Sequence, residues 1–519
     1  MDTFGCKKSI YGYLWPMNII MTHLCSTNTN EMKKIVLIAL GVAAMFSSIA
    51  QETLQLSLEQ TIQMAQQQSP VAVAAQHTLR SAYWTYRYYV GSYKPSVTLT
   101  TSPEFNRGIE RVVQPDGTNS FVHVSQVNTD LSLQISQNIP LTGGSVFVNS
   151  SLMRDDQIEG DGKTSYRSQP ISIGYKQGLL GYNEMKWNRR IEPLRWREAQ
   201  KQYSETMELV ASQASSYFFE LATAQTNVEI ARSNLSSADT LCKMANGRYN
   251  IGTITENEML QLQLNKLREE TNLLDADVSL QAAAEALRNF LNLPVSTNLY
   301  VLTDDKVPQM EVSLALALDL ALQNSPDPDY YKRTQQESRQ NLAYTKASTG
   351  LKADLYLQFG LSQTGQELHN AYRKPTDMQY ASVSVSIPIL DWGRGKGRRR
   401  VAQSNVDLAN IHAEQGMKSF EQNVTKMVQQ FNLQSRRVAV ASQADKTAER
   451  RYEVARRLYV LGKSTILDLN SAISEKDSAR RSYIQSLSTY WSLYYGLRSM
   501  TGYDFVLNIP ITWQLPVNL

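Results

Sequence analysis

The spacing of apolar residues changes character along this chain, and the changes divide it into elements. Counting backwards from Tyr249 by alternating steps of four and three residues meets Ala245, Cys242, Ala238, Leu235, Ala231, Val228, Ala224, Leu221, Tyr217, Ala214, Val210, Met207 and Tyr203, all apolar or aromatic. A 3.5-residue period held for more than six heptads predicts a coiled-coil helix of roughly 70 Å, at about 1.5 Å per residue. Adding 210 to each position gives a second seam from Tyr459 back to Ala413, interrupted at Asp445 and Gln434. The same offset carries Tyr249 and Gly252 onto Tyr459 and Gly462, and Arg189 and Arg190 onto Arg399 and Arg400. After each glycine turn a further helix returns, over about residues 255–292 and 465–501, so each copy of the repeat holds a helical hairpin. Alanines dominate both seams, and narrow side chains let helices approach closely over a great length, which suits an extended tube better than a globule. Packing accounts for the seam residues, and Cys242 among them reads as an inert buried thiol.

From Pro95 the period falls to two. PSVTLTTSPEF, FVHVSQVNTDLSLQISQNIPL, GSVFVNSSL and PISIGYKQG alternate apolar and polar positions between Gly- and Asp-rich gaps, and in the second copy ADLYLQFGLSQ from Ala353 and QYASVSVSIPIL from Gln379 do the same. Segments of about ten residues match a tilted barrel strand crossing a bilayer. Four to six strands cannot close a wide barrel alone, and open edges in lipid leave backbone groups unsatisfied, so the pattern demands several copies of the chain. Upstream, Leu58–Pro70 resembles Leu314–Pro326 at an offset of 256, so the first copy carries 46 residues more than the second. They fall between Pro70 and about Gly178 and either add a hairpin to the barrel or form an ornament outside it. Arg154–Ser168 reads as a long polar loop on the outer face.

The N-terminus adds a destination. Lys33 and Lys34 precede an apolar stretch from Ile35 to Phe46, and Ser48-Ile49-Ala50 supplies small residues at a signal-peptidase spacing, so a signal peptide spans about 32–50, Met32 is the natural initiator and Gln51 the mature start. No cysteine follows in a lipid-anchor arrangement. Cys6 and Cys25 precede that start, which leaves Cys242 without an internal disulfide partner. The organisation is therefore an upstream segment and signal over 1–50, repeat 1 over 51–300, repeat 2 over 301–505 and a tail over 506–519. Within the repeats, strands fall at about 95–178 and 353–390 and helical hairpins at about 184–292 and 394–501.

Composition excludes whole classes. With 42% apolar and 19% charged residues the chain is not disordered, and no apolar run of about 18 residues follows the N-terminal region, so any membrane span must be a barrel. Removing residues 1–50 leaves a net charge of +2, which gives nucleic-acid binding no support. His77 and His412 are far apart, and no Cys, His and carboxylate spacing suggests a metal site. Gly462-Lys463-Ser464 imitates the end of a phosphate loop, but Arg457 stands where its first glycine belongs, and the glycines at 393, 395 and 397 do not make a dinucleotide fingerprint. No catalytic constellation and no cofactor site is present in the text.

Together, the signal peptide, the strand-and-hairpin pattern written twice, the repeated R/L-Y-x-x-G turn and the stretch Ile387-Pro388-Ile389-Leu390-Asp391-Trp392-Gly393-Arg394 resemble the TolC-like outer-membrane efflux protein family. The resemblance covers about residues 54–505. It implies an α+β membrane protein, a homotrimer that shares one transmembrane β-barrel continued by a long antiparallel coiled-coil helical barrel reaching into the periplasm. The implied function is an exit duct for small molecules or polypeptides across the outer membrane, working with a periplasmic adaptor and, through it, an inner-membrane transporter. Residues matching the family's adaptor-docking tips are Arg248, Tyr249, Gly252 and Thr253, and Leu458, Tyr459, Gly462 and Lys463. Asp468 matches the acidic constriction after the second turn; Ser471 stands at the second acidic position, so a double acidic ring is not implied, and an ordinary solvated carboxylate is the alternative for Asp468. Basic residues at Lys186, Arg189, Arg190, Arg195 and Arg197, and again at Arg394, Lys396, Arg398, Arg399 and Arg400, suit either anionic lipid headgroups of the outer membrane or solvated helix faces.

Two other classes compete. A periplasmic or surface coiled-coil scaffold explains the seams and leaves the strands without a purpose. A secreted polysaccharide-binding or polysaccharide-cleaving enzyme explains 27 tyrosines but needs convergent carboxylates, and the acidic residues are scattered along helices.

Overall fold

A computed structural model describes residues 53–158, 162–303, 307–308 and 310–513. The signal segment, the start at Gln51, Cys6 and Cys25 lie outside the described residues. The first copy opens with strand β1 (Thr53–Ser57), a short helix α1 (Leu58–Gln68) and a longer one, α2 (Pro70–Gly91). Ser57 caps α1 in a reciprocal box with Gln60, and Pro70 sits in the first turn of α2, where its missing N–H costs nothing. Four strands follow, β2 (Ser96–Val113), β3 (Asn119–Asn138), β4 (Ser145–Gln157) and β5 (Thr164–Gly178), and then the hairpin of α3 (Glu184–Asn250) and α4 (Glu256–Phe290). The second copy repeats the plan with β6 (Asn298–Leu302), α5 (Leu314–Asn324), α6 (Asp327–Ser348), β7 (Lys352–Gly365), β8 (Thr376–Ser386), α7 (Arg394–Val460) and α8 (Ile466–Thr501). A short pair, β9 (Tyr503–Asp504) and β10 (Ile509–Pro510), ends the described chain.

Helices α3 and α7 each run for 67 residues, which at about 1.5 Å per residue is about 100 Å. Their seams bury Met207, Val210, Ala214, Leu221, Ala224, Val228, Ala231, Ala238 and Ala245 on α3, and Ala413, Phe420, Val424, Phe431 and Val438 on α7. Cys242 is half-buried rather than sealed in the core. The two polar interruptions of the second seam are answered across the α7–α8 hairpin. Arg480 pairs with Asp445 at 3.1 Å, and Gln434 Nε2 donates to the Ser486 carbonyl at 3.0 Å. A buried polar group so satisfied fixes the register of two helices that alanines alone would let slide.

The long helices lie in the order α4, α3, α8, α7, with α2 against α3 and α6 against α3 and α7. The two copies are also tied at their starts, where β1 pairs in parallel with β6. Helices α4 and α7 are the outer members and keep apolar residues in water: Leu260, Leu264, Leu267, Leu274 and Val278 on α4, and Val401, Leu408, Ile411, Leu433 and Val440 on α7. The α4 set falls on the four-three spacing of a coiled-coil seam with no partner, interrupted at Thr271.

All six long strands form one antiparallel sheet in the order β2-β3-β4-β5-β7-β8. β7 begins 256 residues after β2, and β8 ends close to 210 residues after the end of β5, so the excess of the first copy is the hairpin β3–β4, built into the sheet. The stretch expected as a long loop, Arg154–Ser168, is mostly strand: β4 continues to Gln157 and β5 starts at Thr164. Polarity there does not mean a loop, because Arg154 pairs with Asp156 at 2.8 Å and Thr164 Oγ1 donates to Asp156 at 2.7 Å, satisfying the charges on the strands themselves.

Candidate functional site

Cross-strand register sorts the sheet into two faces. Paired residues share a face, and Val97 meets Ile135, Leu99 meets Leu133, Ile135 meets Val148, Leu131 meets Leu152, Ile173 meets Phe359 and Leu355 meets Val383. This apolar face lies open: Leu99 is 67% exposed and Val383 61%. The opposite face is hydrophilic: Ser96, Thr98, Ser132, Gln134, Ser136, Asn149, Ser172, Gln358, Ser382 and Ser384 share it with the charged Asp130, Lys176 and Asp354. A sheet that is apolar on its exposed side and hydrophilic on the other is the reverse of a soluble core and is the surface that lipid outside and water inside require. One aromatic group interrupts the polar face. The Phe147 ring lies across Gly174, where any Cβ would collide with it, and Tyr356 and Tyr380 continue the row at centroid spacings of 5.9 and 5.7 Å.

At the helix end of the sheet the β3–β4 turn is fastened to its surroundings. Asn183 Nδ2 donates to the Pro140 carbonyl at 3.2 Å, Gln177 Nε2 to that of Thr142 at 3.0 Å, and Gln137 Nε2 to that of Tyr93 at 2.9 Å. Just beyond, Ile389 is 93% exposed, and Trp392 is 87% exposed on a backbone of φ 53°, a left-handed conformation that a bulky residue rarely adopts. The predicted basic residues stand here, with Lys186, Arg189 and Arg190 on α3 and Arg394, Lys396, Arg398, Arg399 and Arg400 on α7, all exposed; Arg190 lies 5.5 Å from the Trp187 ring. Arg195 and Arg197 are different: Arg195 pairs with Glu192 on its own helix and with Glu337 on α6, and Arg197 pairs with Asp329 on α6.

At the far end, both hairpin turns come together. Gly252 and Gly462 each take φ 71°, and each ends its helix with the same two bonds. Gly252 N–H donates to Tyr249 and Thr253 N–H to Arg248, as Gly462 does to Tyr459 and Lys463 to Leu458, all at 2.9–3.0 Å. The Arg248 guanidinium lies 5.9 Å from the Tyr459 ring and reaches the Val460 carbonyl at 3.4 Å, so residues from both predicted tips share one surface. Beneath them Leu241, Ala245, Leu262 and Leu469 form a separate small core, and burial pushes the Tyr459 hydroxyl pKa up.

Asp468 occupies the third position of α8 and closes a capping box. Its Oδ2 accepts from Thr465 Oγ1 at 2.7 Å, Ser464 Oγ at 3.1 Å and Thr465 N–H at 3.3 Å, while its own N–H donates to Thr465 Oγ1. These bonds, the Thr465 hydroxyl first, hold its carboxyl below the usual carboxylate range. Thr255 and Glu258 make the same box on α4, 210 residues earlier. Sequence reasoning did not single out this pair, although a threonine three residues before an acid at a helix start was there to be read.

A link between the hairpins also escaped the sequence. Halfway along the outer part of the bundle, Asn234 Nδ2 on α3 donates to Asp477 Oδ2 on α8 at 2.7 Å. Asp477 is buried; its other oxygen has no hydrogen-bond partner and stands 3.6 Å from Lys476 Nζ, which in turn lies 4.4 Å from the Tyr452 ring on α7. Beside it a polar cleft of about 590 Å³ opens between α3, α4 and α8. Among the described residues, no group of three or more His, Cys, Asp or Glu side chains could hold a metal ion, and no helix is long and apolar enough to cross a membrane.

A family model described as "Outer membrane efflux protein" matches residues 61–293 and 317–503. The chain is similar to "Toxin and drug export protein A" of Aggregatibacter actinomycetemcomitans, 21% identical over 422 residues that span 78% of this chain and 88% of that one. Among solved structures it resembles the outer membrane protein VceC of Vibrio cholerae, with a TM-score of 0.61, 15% identity and coverage of 86% and 96% of the two chains. It also resembles the CmeC outer membrane channel of Campylobacter jejuni, with a TM-score of 0.62, 13% identity and coverage of 88% and 87%.

Proposed function

Because the chain belongs to the outer membrane efflux protein family, we propose that three copies of it close head to tail into one tube whose tips dock a periplasmic adaptor. The protein is an outer-membrane exit duct that extends into the periplasm. The observation that carries the trimer is the agreement of its open edges. β8 leads into α7 on one flank and α2 leads into β2 on the other, and among the described residues neither β2 nor β8 has a partner on its outer side. Unpaired strand edges in lipid cost several kcal/mol per polar group, about the magnitude that makes an open sheet untenable there. On the same two flanks α4 and α7 expose their leucine and valine stripes, which a neighbouring copy would cover. Closure therefore satisfies the sheet and the helices in a single operation.

In this reading the paired turns around Arg248, Tyr249, Gly252 and Thr253, and Leu458, Tyr459, Gly462 and Lys463, present the docking surface for the adaptor, which links the duct to an inner-membrane transporter. Three copies of Asp468 near the axis would favour cations and repel one another at a closed tip. The chain contributes a path and catalyses no reaction.

Purified protein in a planar bilayer tests the duct directly, with discrete single-channel steps expected and an unmodified bilayer conductance refuting it. Asp468→Ala is expected to raise the conductance, with Asp468→Glu near the parent value; an unchanged conductance removes the gate role. Crosslinking from Lys463→Cys to a co-expressed adaptor is expected to exceed that from a cysteine placed on the α4 face, and equal yields along the helix refute docking at the tips.

A further inference from the structure

The hairpin β3–β4 has no counterpart in the second copy, and its placement bears on what the duct can carry. Both strands have an outward apolar row, Leu131, Leu133 and Ile135 on β3 and Val148 and Leu152 on β4, in register with Val97 and Leu99 on β2. Their turn is fastened at the same level as the start of α3 through Asn183 and Gln177. The hairpin is thus part of the wall, neither a plug nor an outer ornament.

We propose that the barrel is an eighteen-stranded bore that admits bulky hydrophilic cargo, up to the width of a two-helix polypeptide hairpin. The inference rests on the threefold closure above, since three copies of a six-stranded sheet give eighteen strands. With strands about 4.8 Å apart and tilted about 40°, eighteen strands set a backbone diameter of about 36 Å and twelve about 24 Å. A lining of side chains about 5 Å deep leaves about 25 Å in the first case and about 14 Å in the second. A helix with its side chains is about 10–12 Å wide, so two abreast pass the wider bore and only one the narrower. The inner face supplies hydroxyls and amides such as Ser132, Gln134, Asn149 and Ser382, together with the charges of Asp130, Lys176 and Asp354, and all of these keep the bore wet.

The test uses the full chain and a variant lacking residues 119–157, which joins β2 to β5 and restores two strands to the first copy. Neutral polyethylene glycols of graded size are added to the outer side of a planar bilayer, where they probe the barrel and not the far tip. The largest polymer that still lowers the conductance of the parent channel should have nearly twice the radius of the largest that does so for the variant. Equal cut-offs overturn the proposal. Native mass spectrometry of the same samples separates the two readings: three copies with a narrow cut-off refute the wide bore alone, and any other copy number refutes the threefold closure. If the variant does not fold, the parent cut-off decides by itself, because a radius below about 7 Å fits a twelve-stranded wall and contradicts eighteen.

Discussion

Replacing Asn234 by alanine should loosen the seam between the two helical hairpins of one subunit. The Asn234 amide is the hydrogen-bond donor to Asp477, whose carboxylate is buried and whose second oxygen is already without a hydrogen bond. Hydrogen bonds to charged groups are worth about 1.5–3 kcal/mol, and without Asn234 the buried carboxylate keeps only Lys476 Nζ, 3.6 Å from its second oxygen. A loss of about 2 kcal/mol is about a thirtyfold change in an equilibrium constant. If the tip opens by parting α3 from α8, Asn234→Ala should multiply the open fraction by about that factor. Single-channel recording measures it as open probability. Asp477→Asn in the same chain removes the buried charge, so the double variant should recover most of the difference, and the coupling energy follows from the cycle. An open probability unchanged in Asn234→Ala, or equal losses in the single and double variants, would show that this bond does not restrain the tip.

Three further outcomes are expected. Arg498 pairs with Glu208 at 2.8 Å and with Asp504 at 2.8 Å, and Glu208 is buried, so Arg498→Met should cost about 3–5 kcal/mol and lower the unfolding temperature, with Glu208→Gln in the same chain restoring part of it. Burial, and then the nearby Asp327 charge, push the Glu205 carboxyl up to about 7, so the native state holds a proton that the unfolded chain releases at about pH 4.3. Stability should therefore decline as pH rises from about 4.3 to about 7, by about 2 kcal/mol after solvent screening, and Glu205→Gln should flatten that slope in thermal unfolding followed across pH. At the tip, a Cβ on Gly462 meets nothing within 4 Å but its φ is 71°, so Gly462→Ala should cost about 1–2 kcal/mol through the backbone alone, seen as faster amide exchange in the α7–α8 turn and a smaller loss in Gly462→Asn.

Much of this architecture was legible because the chain states it twice. The offset of 210 that joins Gly252 to Gly462 also joins α3 to α7 end to end, and the four-three stepping of Tyr203 to Tyr249 is the buried face of one helix. The strands were legible as alternation, and the 46-residue excess could be located but not placed, since whether a hairpin joins a wall depends on register. That register appears only where Leu131 meets Thr101 and Leu152 across two ladders. Arg154–Ser168 misled for a related reason: charges signal a loop in a half-buried strand, but these pair on a strand extending past the apolar band. The tips and Asp468 came from the repeat and the resemblance, whereas the Asn234–Asp477 bond joins residues 243 apart, a separation that no local pattern encodes.

The most direct measurement is electron cryo-microscopy of the detergent-extracted protein at a resolution that separates strands. Threefold particles are the expected result, with twelve long helices continuing an eighteen-stranded barrel and β2 of one subunit hydrogen-bonded to β8 of the next. A monomer or a two-copy rod with β2 and β8 still unpaired would contradict the shared tube, and with it the reading of this chain as an exit duct.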